Sequence, residues 1–261
     1  KIDETKGAKK LPTHAEVVVV GGGVVGCSIL FHLAKFGWKD AVLLERDELT
    51  SGSSWHAAGG IHTISSDPNI SRLQSYTINL YKEIEELSGQ SVGLHQTGGF
   101  YAASTKEWYD YLKGERSKAR YMRLDQEFIS PQELAERHPL IDPDHYHAVL
   151  WDAQDGHLDP SGTTYAFAKA AKAHGAQYFT HCGATAMTQR PDGSWDIVTP
   201  KGSINAEHVV NCGGLWAREV GQMAGIHLPV QPMEHHYLVT ERMDEVANFG
   251  QQLPHGIDFE A

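Results

Sequence analysis

Three glycines spaced Gly21-x-Gly23-x-x-Gly26 follow the β-branched run EVVVV (16–20) and open the apolar stretch CSILFHLAKFG, whose periodicity is helical. At this spacing Gly21 permits a tight turn, Gly23 lets backbone approach a pyrophosphate, and Gly26 lets helix and strand pack closely. The helix N-terminus so placed offers N–H groups and the positive end of its dipole to an anion. Glu45 closes the next strand-like run, AVLLE (41–45), 19 residues after Gly26. An acid there suits ribose hydroxyls and repels the extra phosphate of NADP. These residue types in this order point to the binding of a dinucleotide.

A second stretch carries chemistry of its own. SGSSWHAAGG (51–60) is built from small residues around Trp55 and His56. The fingerprint alone does not separate NAD from FAD. A loop of small residues and backbone N–H groups directly after the ribose-binding strand suits an extended FAD with its flavin end outwards. VVNCGGLWA (209–217) either brings a further backbone turn to that cofactor or is one more strand–helix connection. HHYLVTE (235–241) reads as a strand whose period of two places His235 and Tyr237 on one face and His236 on the other. It is either a substrate-facing strand or a half-buried one with polar faces. We expect no metal: His145-x-His147 and His181-Cys182 lack a zinc spacing, and DGHLD (155–159) lacks the repeat of a calcium loop and is expected to cap the following helix.

The rest of the chain must position these groups. Its 261 residues suffice for one large or two small domains, with 41% hydrophobic and 21% charged residues. Twenty-two basic against 33 acidic residues give a net charge of −11, which argues against nucleic acid. No apolar run reaches the ~18 residues of a membrane span. Three cysteines without a CxxC argue against a disulfide framework. The opening KIDETKGAKKLPTHAE has neither an initiator Met nor a signal-like apolar core, and we expect a processed or trimmed form.

Further helices are expected over 67–89, 130–139 (Ser130 cap, Pro131 first, Glu133 closing a capping box) and 159–175. GLHQTGGFYAAS reads as a strand pair and HAVLWD as a strand. AQYFT, ATAMTQ, SWDIVT and SINAEHVVN read as short strands forming a β-meander, and GGLWAREVGQMAG as a helix. The fold expected is α/β: a Rossmann-like FAD-binding domain with a β-meander, interleaved with part of a mixed-sheet substrate domain. The segments are a leader (1–15), FAD-binding parts (16–90 and 156–227, the latter with the meander) and substrate-domain parts (91–155 and 228–261, the last incomplete).

The run GGGVVG, LLERDELTSGSSWHAAG, DGHLDPSG, VVNCGGLWAREVG and HHYLVTE resembles the dimethylglycine and sarcosine dehydrogenase family, glycine-oxidase-like flavoproteins that oxidise C–N bonds of small amino acids. The resemblance covers residues from about 16 to 245. It implies that His56 is bonded covalently to FAD, through a ring nitrogen to the 8α-methyl group. It further implies cofactor contacts at Val24 and Val25, at Glu45 and Arg46, and along Gly52, Ser53, Ser54, Trp55, Ala57, Ala58, Gly59 and Gly60. Ala184 is placed near the adenine and Trp216 just after the Gly pair. Neutral imidazole is a nucleophile, and an electron-withdrawing tether makes a flavin a better oxidant of unactivated amines.

The reaction implied is oxidative N-demethylation of dimethylglycine or sarcosine, with hydride passing to flavin N5, Tyr237 positioning the substrate and His235 assisting. An electron acceptor such as an electron-transfer flavoprotein is the implied partner. The implied compartment is the mitochondrial matrix in a eukaryote and the cytoplasm in a bacterium. Members of the family continue well beyond residue 261, so the chain reads as truncated. Tetrahydrofolate is expected only in such a further C-terminal region. The alternatives are a flavoprotein oxidase of another small amine or imino acid, and an inactive FAD-binding fragment.

Overall fold

Val17–Val20 form the centre of a strand because four β-branched side chains fit a sheet buried on both faces. In the computed structural model, which describes residues 10–63, 65 and 67–258, this strand lies within a six-stranded sheet. Residues 1–9 of the expected leader and the end of GIDFEA lie outside the described residues.

The first elements are β1 (His14–Val20), α1 (Val24–Lys35), β2 (Ala41–Leu44), β3 (Gly60–Ile61), α2 (Pro68–Ser88), β4 (Gly99–Ala103) and α3 (Lys106–Tyr121). Then come β5 (Gln126–Ile129), α4 (Pro131–Arg137), β6 (Ala148–Asp152), β7 (Gly156–His157), α5 (Pro160–Ala173) and β8 (Gln177–Phe179). The last are β9 (Ala186–Gln189), β10 (Trp195–Thr199), β11 (Gly202–Asn211), α6 (Ala217–Met223), α7 (Asp244–Ala247) and β12 (His255–Asp258).

The chain divides into two units that alternate in sequence. The first comprises 1–57, 84–92 and 160–234, the second 58–83, 93–159 and 235–261. In the first, strand order is β8-β2-β1-β11-β10-β9; β8, β2, β1 and β11 run parallel, and β10 and β9 continue antiparallel. AQYFT thus joins the parallel edge as β8 instead of the meander. The meander is hydrogen-bonded to the main sheet through β11, whose end pairs with β1 from Val17↔His208 to Val20↔Asn211. Val18, Val20, Val42, Leu44, Phe179, Ile197 and Ile204 fill a common core. Helices α1 and α5 meet through Phe31 and Phe167, with ring centroids 5.8 Å apart.

The second unit holds a mixed four-stranded sheet, β12-β4-β6-β5, in which only β12 runs parallel to its neighbour. Strand alternation sends Phe100, Ala102, Val149 and Trp151 to the face covered by Leu134 of α4. Tyr101, Ala103 and Leu150 go to the face covered by Leu112 of α3. The expected capping box is present: Ser130 Oγ accepts from Glu133 N–H, and Glu133 accepts from Ser130 N–H at 2.7 Å.

Two expected strands are absent. GLHQTGGFYAAS contributes one strand, β4, while its first half makes only an isolated bridge, His95↔His157. HHYLVTE forms none: residues 229–245 are exposed throughout and 226–243 enter no ladder among the described residues. Alternation is a propensity, realised only where a neighbouring strand completes the hydrogen bonds. Among the described residues no helix is long and apolar enough to cross a membrane.

Candidate dinucleotide site

The fingerprint turn connects β1 to α1, and its glycines are fixed by contacts rather than by flexibility. Gly21 has φ +117°, and a Cβ there would stand 2.2 Å from the Cys212 carbonyl oxygen. A Cβ at Gly26 would stand 1.9 Å from the Gly21 carbonyl oxygen, so α1 rests directly on the turn. Gly23, in extended backbone at φ −77°, is open by contrast: its Cβ would meet only Ser54 Oγ, at 3.1 Å. No acidic residue occupies the first turn of α1, so nothing there repels a phosphate.

The small-residue loop is pinned to this turn. Thr50 N–H donates to the Gly22 carbonyl at 3.1 Å, and Val24 N–H donates to Ser54 Oγ at 2.9 Å. Thr50 is buried at φ +74°, a conformation that β-branched residues adopt only when surrounding structure imposes it. Ser53–His56 then make one 3₁₀ turn. It presents Trp55 and His56 as exposed, tilted rings with centroids 3.7 Å apart. The unit boundary falls between Ala57 and Ala58, so Ala58, Gly59 and Gly60 belong to the second unit.

At the end of β2, Glu45 is buried. Its two carboxylate oxygens accept from Gly22 N–H at 2.6 Å and from Asp47 N–H at 2.8 Å, which fixes the carboxylate against the fingerprint. Arg46 lays its guanidinium over the Trp216 ring, 3.6 Å from the centroid, so the Gly213-Gly214 turn contributes an aromatic wall to the same end of the sheet. Ala184 is half-buried against the sheet core. Val24 is half-buried and Val25 exposed. Cys27 and Cys212 are not nucleophiles here: burial, with the Glu45 charge adding, pushes the Cys27 thiol up to about 12, and burial pushes Cys212 up to about 11.

An apolar cavity of about 190 Å³, walled by Met187, Trp195, Val209, Val220 and Leu228, lies between the meander and α6. With mainly apolar lining it is no phosphate cradle. Of the expected catalytic residues, Tyr237 and His235 are exposed in the coil segment of the second unit. His181 Nε2 donates to Glu48 Oε1 at 2.7 Å, and Cys182 is buried against Thr199, so this pair faces different partners.

A polar cluster in the second unit has no signature in the local sequence. Asp155, at the start of DGHLD, is fully buried, accepting from Thr63 N–H at 3.0 Å and Tyr101 O–H at 3.3 Å. Asp152 accepts from Thr63 Oγ1 at 2.5 Å and Gln126 Nε2 at 2.8 Å. Burial raises the Asp155 carboxyl above its usual range, while the His62 and Thr63 hydrogen bonds oppose the rise. Asp155→Ala strands two buried donors and is expected to cost about 2–4 kcal/mol, measured by urea unfolding. An unchanged midpoint would show that the cluster contributes nothing to stability.

Together, a βαβ unit, a glycine turn with an open Gly23, an acid closing β2 and a phosphate-compatible helix end define an α/β protein with a dinucleotide cradle. The residues present fit FAD: the backbone at Gly23 is unobstructed and the first turn of α1 carries no acid. The chain belongs to the FAD dependent oxidoreductase family, which residues 16–259 match. It is 41% identical over 240 residues to the mitochondrial dimethylglycine dehydrogenase of Rattus norvegicus, covering 92% of this chain and 28% of that protein. It is 38% identical over 254 residues to the mitochondrial sarcosine dehydrogenase of Homo sapiens, covering 95% and 28%. The chain thus spans little more than a quarter of the length of these relatives. Among solved structures it is similar to the L-proline dehydrogenase of P. horikoshii, with TM-score 0.82 and 28% identity over 96% of this chain and 66% of that one.

Proposed function

We propose that this chain forms the FAD-binding part of an enzyme that oxidatively demethylates a small N-methyl amino acid of the dimethylglycine or sarcosine type. The observation that carries the reading is the cradle, in which the loop bearing His56 is hydrogen-bonded to the fingerprint turn, in a chain similar to two dehydrogenases so named. Gly21, Gly23, Val24, Val25 and Gly26 receive the pyrophosphate. Glu45 and Arg46 hold the ribose, with Ala184 and Trp216 flanking the adenosine end. Gly52 to Ala57 line the flavin, and His56 tethers it through a ring nitrogen.

Bound FAD supplies a two-electron acceptor for the N-methyl C–H bond. The protein's part is to orient the amine and keep it unprotonated, because an ammonium has no lone pair to assist C–H cleavage. Tyr237 positions the substrate through its hydroxyl, and His235 takes up the amine proton at an imidazole nitrogen. The first unit is the FAD layer and the second the substrate layer. An electron-transfer flavoprotein is the proposed acceptor, and the mitochondrial matrix the proposed compartment in a eukaryote.

The test is turnover by the full-length protein. Dimethylglycine or sarcosine is expected to drive reduction of an artificial acceptor with release of formaldehyde, and without matching hydrogen peroxide. Flavin-loaded protein that reduces the acceptor with neither amine would overturn the reading. The two substrates differ by one methyl group, and discrimination between them is expected to stay within ~1–3 kcal/mol.

A further inference from the structure

Two histidines and a buried carboxylate from three separate segments meet within the second unit. His62 follows β3, Asp155 lies between β6 and β7, and His255 opens β12. His62 Nδ1 lies 3.1 Å from His255 Nε2 and 3.8 Å from Asp155 Oδ2. One ligand atom from each residue can be chosen so that all three lie within 4.8 Å of one another.

We propose that His62, Asp155 and His255 form a binding site for one divalent transition-metal ion of the zinc or cobalt class. Around a tetrahedral ion with bonds of about 2.0–2.2 Å, ligand atoms stand about 3.3–3.6 Å apart. The two short separations bracket that range, and a small side-chain rotation closes the widest one. Asp155 is already oriented as metal-bound carboxylates are, by Thr63 N–H on Oδ1 and Tyr101 O–H on Oδ2. Three ligands leave further coordination positions open, and the His62 side chain, 35% exposed, provides an entry path.

His255 offers the cluster its Nε2, 3.1 Å from His62 Nδ1. Its Nδ1 is buried and has no hydrogen-bond partner, so the imidazole is kept inside at a cost that its own hydrogen bonding does not offset. The set is invisible to spacing rules because its members come from distant parts of the chain.

Chelator-treated full chain titrated with Co²⁺ should develop visible d–d bands that saturate at one equivalent and are displaced by Zn²⁺. His62→Gln and His255→Ala should each weaken binding by at least about tenfold, while His145→Ala, which contributes no atom to the cluster, leaves it unchanged. Should His255→Ala fail to fold, His62→Gln at a partly exposed position carries the test, with circular dichroism confirming its fold. Absence of cobalt bands in the unaltered chain, or bands retained in His62→Gln at unchanged affinity, would overturn the site.

Discussion

Replacing His56 by alanine is expected to leave a protein that takes up FAD but releases all of it on acid precipitation. The two halves of that outcome come from different parts of the site. In the proposed function uptake rests on the Gly21–Gly26 turn, the α1 N-terminus and Glu45, and His56 makes none of the hydrogen bonds that hold them. Retention after denaturation needs a covalent bond, and the one residue that we assign to it is His56. It sits at the end of a 3₁₀ turn, exposed, with its ring tilted against that of Trp55. Because the substitution removes no buried contact, the melting temperature of the apoprotein should move little. Acid-precipitated, washed variant that keeps yellow fluorescence would show that another residue carries the bond.

The second large effect separates two glycines of one motif. Gly26→Ala drives a Cβ to 1.9 Å from the Gly21 carbonyl oxygen, a backbone atom that cannot rotate away. Lifting α1 off the turn is expected to cost about 3 kcal/mol or more. That lowers the melting temperature by roughly 6–12 °C on the ~2–4 °C per kcal/mol of a domain this size. Gly23→Ala should behave differently. Its backbone is in an ordinary extended conformation, and the added methyl meets only a serine hydroxyl at 3.1 Å. Its fold should survive within about 1 kcal/mol while affinity for FAD falls by about tenfold or more, since the methyl stands where the pyrophosphate must approach. Equal loss of stability in both variants would mean that Gly23 serves packing and not ligand approach.

The contrast shows what kind of information lies in local sequence. The β1–α1–β2 unit was legible because every determinant is close by: a β-branched run, three glycines, an apolar helical stripe and a closing acid. The capping box of α4 was legible for the same reason. Ser54 enters through the family resemblance, as one residue of the loop 52–60, and nothing local says that its hydroxyl meets Val24 N–H. Thr50 at φ +74° was not foreseen either, since no propensity announces an imposed conformation.

Longer-range features were less accessible still. Asp155 looked like part of a helix-capping loop, yet its hydrogen bond to Thr63 spans 92 positions. HHYLVTE has the alternation of a strand and forms none, because a ladder belongs to two segments and alternation describes one. The parallel pairing of β11 with β1 is of the same kind: SINAEHVVN reads as a meander strand, and only the register from His14↔Asn205 to Val20↔Asn211 reveals it as the link between meander and main sheet.

The central claim, that the loop pinned to the fingerprint carries the flavin through His56, is tested most directly by locating the flavin after digestion of acid-precipitated protein. Trypsin should release residues 47–72, cut after Arg46 and Arg72, as a peptide heavier by one covalently bound flavin. That peptide contains both His56 and His62, so fragmentation must place the added mass. The result predicted is flavin on His56 alone. Flavin on His62, on a peptide elsewhere in the chain, or absent from every peptide would contradict the account.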